Sequence, residues 1–335
     1  MYLFPASLKS LAVCAIVSFK CPLCLIQPVD FFLILLTVVG LSFFEVVSSL
    51  DNAIINASIL TKMSERARRW FLLWGLLIAV FAVRGLLPGM IVLATNPSLG
   101  LGGAFTAMFS SDPAVVAAME QSAPILLIGG GVFLVLLFLH WLFMEPKNFG
   151  LPGERFFHAQ GVWFYAVASV FLAGLTWFAI GFNPMMAFSA VIGSTAFFIV
   201  HGFKQNAELK ELELQKTGTM GDMSKLLYLE VIDATFSVDG VVGAFAFTMA
   251  VPLILIGNGI GAVVVRELTI RNIENVKKYI FLKNGAMYSI LVLGAIMILD
   301  SFGVPIPAWL SPIVTFACIG YFFLKSRKHL KQNKQ

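Results

Sequence analysis

The stretch EVVSSLDNAIINA, residues 45–57, places Glu45, Asp51 and the Asn52 amide inside an apolar run, and the next charged residue is Lys62. The rest of the chain says what kind of run this is. Its 335 residues are 59% apolar and 12% charged, whereas soluble domains run at about 45–50% and about 25%. The apolar excess is gathered into uncharged stretches such as 124–139 and 161–179. These approach the ~20 residues that carry a helix across a bilayer. A soluble fold of this length buries a few such helices, not nearly all of them. The sequence therefore predicts an all-α fold, a polytopic transmembrane helical bundle whose first partner is the lipid bilayer. The net charge of +5 does not argue for nucleic acid, because the basic residues cluster between apolar runs, where orientation signals belong.

Nine spans are expected, at 31–60, 70–94, 124–144, 161–182, 185–203, 227–250, 252–269, 285–303 and 309–324. The first is too long for one upright helix and calls for tilt or a break. The loops 62–69, 145–160, 204–226 and 271–283 and the tail are basic, while 95–123 holds Asp112 and Glu120 and no lysine or arginine. With nine spans every basic loop falls on one side. The positive-inside rule makes that side, and the carboxyl terminus, cytoplasmic. The expected organisation is an apolar segment at 1–28 (signal-like or an extra span), a first transmembrane half at 29–203, a cytoplasmic linker at 204–226, a second half at 227–325 and a basic cytoplasmic tail at 326–335. Cys21 and Cys24 form a CxxC pair, but Cys14 and Cys318 complete no zinc site, so the thiols read as small apolar filler.

A second acidic stretch, EVIDATFSVDGVVGAF at 230–245, echoes the first. Setting Glu45 against Asp233 brings Ser49 to Ser237 and Asp51 to Asp239. The two copies fall in spans one and six, so they run in opposite directions. Inverted repeats that meet near the membrane midplane are a recurring plan for secondary transporters. Arg84 and Arg266 each sit in an apolar setting downstream of a motif and read as charge-balancing or gating counterparts.

An acid at mid-bilayer costs about 2.5–3.5 kcal/mol on insertion scales. Glu45, Asp51, Glu230, Asp233 and Asp239 are five such acids against two arginines, and buried acids stay ionised only when paired or metal-bound. The imbalance invites a cation or protons. Carboxylates with the Asn52 amide and the Ser48, Ser49 and Ser237 hydroxyls suit Mg²⁺, Ca²⁺ or Mn²⁺ better than Cu⁺ or Zn²⁺. Glu45, Asp51, Asp233 and Asp239 are the expected metal ligands, for a transported ion; no tightly bound cofactor is expected. At 3.6 residues per turn Glu45, Ser49 and Asn52 share a face, with Asp51 about 120° away. Glu230, Asp233 and Ser237 share another, with Asp239 nearly opposite Glu230. Either a break at Gly40 or Gly240 gathers the acids, or they serve two clusters. Two other readings compete with transport: ion pairs with Arg84 and Arg266 that fix helix packing, and an intramembrane acid–base dyad. The inverted repeat favours transport. No nucleotide loop, zincin motif or nucleophile elbow is present, and the chain is not read as an enzyme. His140 and His201 read as caps or packing residues, Trp141 and Trp163 as interfacial anchors, and the glycine triplet 129–131 as a site of close helix approach.

FFEVVSSLDNAIINA together with EVIDATFSVDGVVGAF resembles the TerC-like membrane proteins, which are associated with tellurium resistance and belong to a superfamily that includes the lysine exporters. The likeness is to an uncharacterised-domain branch and spans most of residues 30–325. It rests on Glu45, Ser49, Asp51 and Asn52 in the first motif and on Glu230, Asp233, Phe236 and Asp239 in the second. Gly240 and Val241 follow Asp239 where the family often has serine and proline. The resemblance implies metal handling: some such proteins are thought to export manganese, and others are linked to tellurite resistance or to membrane-protein insertion. It implies a multi-pass protein of the bacterial cytoplasmic (inner) membrane that exports a divalent cation such as Mn²⁺, with protons as coupling ions. The alternative is a non-transporting scaffold in a tellurium or metal stress-response complex, with homo-oligomer or complex partners.

Overall fold

The computed structural model describes residues 28–60, 63–75, 100–107, 113–217, 221–271 and 273–332, with the single positions 86, 93 and 109. The described residues form thirteen helices and no strand. In chain order they are α1 (Pro28–Ser48), α2 (Leu50–Leu60), α3 (Glu65–Trp70), α4 (Gly100–Ala107), α5 (Pro113–Phe143), α6 (Pro152–Ala159), α7 (Phe164–Ile180), α8 (Pro184–Thr217), α9 (Asp222–Ala244), α10 (Val251–Arg271), α11 (Ile273–Lys277), α12 (Leu282–Ser301) and α13 (Leu310–Gln332). A single π-helical turn, Phe71–Gly75, follows α3.

Among the described residues, six stretches are long and apolar enough to cross a membrane: Phe31–Ser48, Gln121–Phe143, Gly161–Ile180, Pro184–Asn206, Val251–Leu268 and Leu282–Ser301. They coincide with six of the nine expected spans. Of the other three, 70–94 lies mostly outside the described residues. Residues 227–244 are helical as part of α9, but Glu230, Asp233 and Asp239 keep them below that apolar standard. The apolar stretch of α13 runs into Lys325 and Arg327. The protein is a multi-pass integral membrane protein. Its outer faces agree: Phe31, Phe32, Val170, Trp177, Phe188 and Phe203 are all more than half exposed. So continuous an apolar surface is stable against lipid, not water.

The core is built on α5, which is buried on nearly every side between Leu127 and Phe143. The glycine triplet explains how two helices reach it. A Cβ on Gly129 would lie 2.6 Å from Ser189 Oγ, and one on Gly131 would lie 2.9 Å from the Gly294 carbonyl oxygen. The missing side chains bring α8 and α12 close to the α5 backbone, the packing mode that small residues permit in membranes. Trp141 departs from its expected place at the interface. It is fully buried, between Phe138 and Tyr288 with ring centroids 5.7 Å from each. Trp163 is 62% exposed, as an interfacial residue is.

Contacts between loops define the two ends of the bundle. At one end Lys283 pairs with Glu145 at 2.7 Å, Asn284 donates to the Asn148 carbonyl at 3.0 Å, the Phe281 N–H donates to Ser326 Oγ at 3.0 Å, and Lys325 reaches the Gly150 carbonyl. Three of the basic segments thus converge. Glu154 is buried there and accepts from the Gly150 N–H at 2.6 Å and the Asn284 amide at 2.9 Å, which ties α6 to α12. At the other end Phe302 meets Phe178 and Phe182, and Ser311 donates to the Ala246 carbonyl.

Helix directions follow from the same contacts. Glu45 meets Gly240 and Phe44 meets Gly243, so α1 and α9 run antiparallel. Leu41 meets Gly257 and Glu45 meets Gly261, so α1 and α10 run parallel. Helix α8 has 34 residues, ~51 Å at 1.5 Å per residue, well beyond the ~30 Å of a hydrocarbon core. Residues 204–217 are therefore a helical extension of a span, and α9 returns alongside it.

Candidate functional site

Glu45 sits three residues before the end of the apolar stretch Phe31–Ser48 and is only 1% exposed. Two glycines on two helices make room for it. A Cβ on Gly240 would lie 2.6 Å from Glu45 Oε2, and one on Gly261 would lie 2.6 Å from Glu45 Cβ. Gly40 and Gly240, expected as possible helix breaks, lie inside unbroken helices and serve close approach instead; a Cβ on Gly40 would meet Pro312 at 2.9 Å. The interruption falls at Ser49, between α1 and α2. Its hydroxyl donates to Glu45 Oε1 at 2.7 Å, a charge-assisted bond that helps hold the carboxylate in place.

Asp239 precedes Gly240 and faces a different partner. Its Oδ2 pairs with the ammonium of Lys204, and the two side chains are 14% and 12% exposed. Its Oδ1 is buried with no hydrogen-bond partner among the described residues. The pair lines a cavity of about 330 Å³ together with Ser48, Glu145, His201 and Lys283. Behind it the His140 and His201 rings lie 3.8 Å apart at 52°, and His140 Nδ1 is 3.7 Å from Glu145. Burial pushes the Glu145 carboxyl up, but His140 and Lys283 outweigh it and hold it well below the usual carboxylate range. Nearby, burial lowers the Lys147 ammonium to about 8, with Glu154 and Glu145 opposing.

The remaining acids form a second cluster. Asp233 pairs with Arg266 at 3.5 Å. Arg266 also reaches the Phe71 carbonyl and lies 4.4 Å from the centre of the Phe71 ring. Glu230 fills the space beside Gly75, where a Cβ would come within 2.0 Å of its Oε1. The π-helical turn thus meets Glu230 of α9 and Arg266 of α10, and such turns recur at functional sites. Asp233 and Asp239 are six residues apart on one unbroken helix, ~9 Å along the axis and about 120° apart around it. A straight helix cannot aim both at one point. The described acids are held apart: Glu45 against Gly240 and Gly261, Asp239 on Lys204 at the cavity, and Glu230 and Asp233 at the π-helical turn and Arg266.

Asp51 and Asn52 lie on α2 and Ser237 on α9, but their side chains are outside the description, and Arg84 lies outside the described residues. Among the described residues, no group of three His, Cys, Asp or Glu side chains is gathered closely enough to hold a metal ion. Lys204, Glu145, Lys283 and Gly261 were not legible as site residues, and Gly240 was legible only as a helix break. One signal was present: Lys204 stands three residues after His201, at the end of an apolar run, and so at the depth where a lysine reaches back toward the membrane.

Neither the curated proteins nor the solved structures contain a match to this chain. A family model described as "Protein of unknown function (DUF475)" matches residues 50–334, nearly the whole of the described bundle, and the chain belongs to that family.

Proposed function

We propose that this protein is a transporter that exports a divalent metal cation such as Mn²⁺ across the bacterial cytoplasmic membrane, with counter-movement of protons. The observation that carries the reading is Glu45. A carboxyl group 1% exposed within an apolar helix, held in a niche that two other helices vacate, is costly to place there, and ionisable residues inside spans mark ion pathways. Asp239 lines the cavity beside Lys204 and has one buried oxygen with no hydrogen-bond partner among the described residues, which gives the ion an approach. In this reading Glu45, Asp51, Asp233 and Asp239 are ligands or proton-exchanging partners, with Ser49, Asn52 and Ser237 completing or orienting the shell. Glu230 and Arg266 tune the charge of the second group, with Arg84 as a further counter-charge. The antiparallel setting of α1 and α9 suits an inverted repeat, and the TerC-like resemblance of the motifs points the same way. The end at which the basic loops converge is the cytoplasmic one under the positive-inside rule.

The test is Mn²⁺ flux in proteoliposomes, with and without a pH gradient. Asp51→Asn and Asp239→Asn should each abolish flux in protein that still folds, and the gradient should drive it. Absence of flux and of specific binding across Mn²⁺, Mg²⁺ and Ca²⁺ would sink the proposal. It would favour a second reading, a non-transporting membrane scaffold. The ion pairs Asp233–Arg266 and Asp239–Lys204 support that reading, since they link α9 to α10 and α8.

A further inference from the structure

Lys204 belongs to neither acidic motif, yet its ammonium lies on Asp239. We propose that Lys204 is a tethered surrogate cation: it occupies Asp239 when no metal ion is bound, and an entering ion must displace it. The inference rests on the cation-transport reading and assigns that site its selectivity element.

Three observations carry it. An ammonium is a compact point charge, and here it satisfies only Oδ2; Oδ1 is buried and has no hydrogen-bond partner among the described residues. A hard divalent cation draws on more oxygens than a lysine satisfies here. The cavity beside the pair, about 330 Å³, has room for several waters and hence for a partly hydrated ion. Lys204 also has an alternative acid within the same lining, Glu145, on the loop after α5. Its four-carbon stem is flexible enough to exchange one carboxylate for the other. Lys283 already holds Glu145 at 2.7 Å, so Lys204 would join a shared pair there.

Among the described residues, two carboxylates and two lysines line the cavity. A divalent ion added at Asp239 with Lys204 in place would set two cations against each other in a poorly solvated site. The ion therefore binds only as Lys204 leaves. A monovalent ion gains no charge advantage over the ammonium it must replace, whereas a divalent ion does. Lys204 thereby excludes monovalent cations and weakens the resting affinity for divalent ones, which favours release.

Mn²⁺ binding to the full chain in detergent micelles, measured by titration calorimetry, tests this. Lys204→Met should tighten Mn²⁺ binding tenfold or more. Lys204→Arg, which keeps the charge, should not tighten it, and Asp239→Asn should abolish it. An independent readout uses the wild-type protein: saturating Mn²⁺ should increase acylation of Lys204, followed by mass spectrometry, because the ammonium is released from Asp239. Unchanged or weaker binding in folded Lys204→Met, or Lys204 labelling that Mn²⁺ leaves unaffected, overturns the proposal. The transport reading survives that outcome if Asp239→Asn still loses Mn²⁺. No binding of Mn²⁺, Mg²⁺ or Ca²⁺ in either wild type or Lys204→Met overturns both. If Lys204→Met does not fold, the labelling of the wild type decides.

Discussion

At the scale of single residues, the glycines around Glu45 are as informative as the acid. Gly261 leaves its space to the Glu45 stem, with the Ser42 carbonyl oxygen 2.8 Å from where a Cβ would lie. Neither neighbour is the loose end of a flexible chain, so Gly261→Val should destabilise the protein by ~1–3 kcal/mol through overpacking. A lowered thermal midpoint in detergent checks this, and Gly102→Val, where none of the described residues lies within 4 Å of the added Cβ, is the matched control. Lys147 gives a second residue-scale expectation. Its pKa is lowered to about 8 from 10.5, with burial the largest cause. Between those values the unfolded chain holds the proton that the folded chain has lost, so this residue makes stability rise with pH across that interval. Acylation of Lys147 should show a midpoint near pH 8, two units or more below the exposed lysines. A midpoint above 10 would contradict the burial of its ammonium.

Elements meet through the two ion pairs of α9. Asp233 and Arg266 are 13% and 12% exposed, and removing one partner strands a buried charge, a loss of about 3–5 kcal/mol. Asp233→Asn and Arg266→Met should each be severely destabilising, and the double variant should be less so than their sum. A double-mutant cycle by chemical denaturation measures the difference. Additive effects would mean the two side chains do not sense each other. Between elements, the loop after α5 should be acid-sensitive. Glu145 lies below its ordinary range, so its contribution is complete above the unfolded value and is lost as pH falls toward the folded one. Glu145→Gln should flatten that acid limb of the stability profile.

For the molecule as a whole, the convergence of residues 145–150, 279–284 and 325–326 fixes which segments share a side of the membrane. In a cysteine-less background, Gly221→Cys and Lys328→Cys should react with an impermeant thiol reagent from the same side, and Asn183→Cys from the other. Labelling of Asn183→Cys and Lys328→Cys from one side would refute this arrangement of ends.

Composition and apolar run length determined, without any structure, that the chain is helical and crosses the membrane several times. Those properties depend on backbone hydrogen bonding in lipid, which is local to each segment. The acids at 45, 230, 233 and 239 were conspicuous for the same reason: each is costly in its own stretch of sequence, whatever its neighbours turn out to be. The expected roles of Gly40, Gly240 and Trp141 failed because they depend on what lies opposite. Glycine reads as a break in a sequence and becomes a contact surface once Pro312 or Glu45 packs against it. Lys204 read as the start of a linker because charge alone cannot show that α8 continues and that α9 brings Asp239 back beside it. Only the tertiary structure decided that Asp233 and Asp239 serve different places and which cations meet them. Such pairings join residues 33 and 35 positions apart, and helix packing sets their distances where sequence spacing does not.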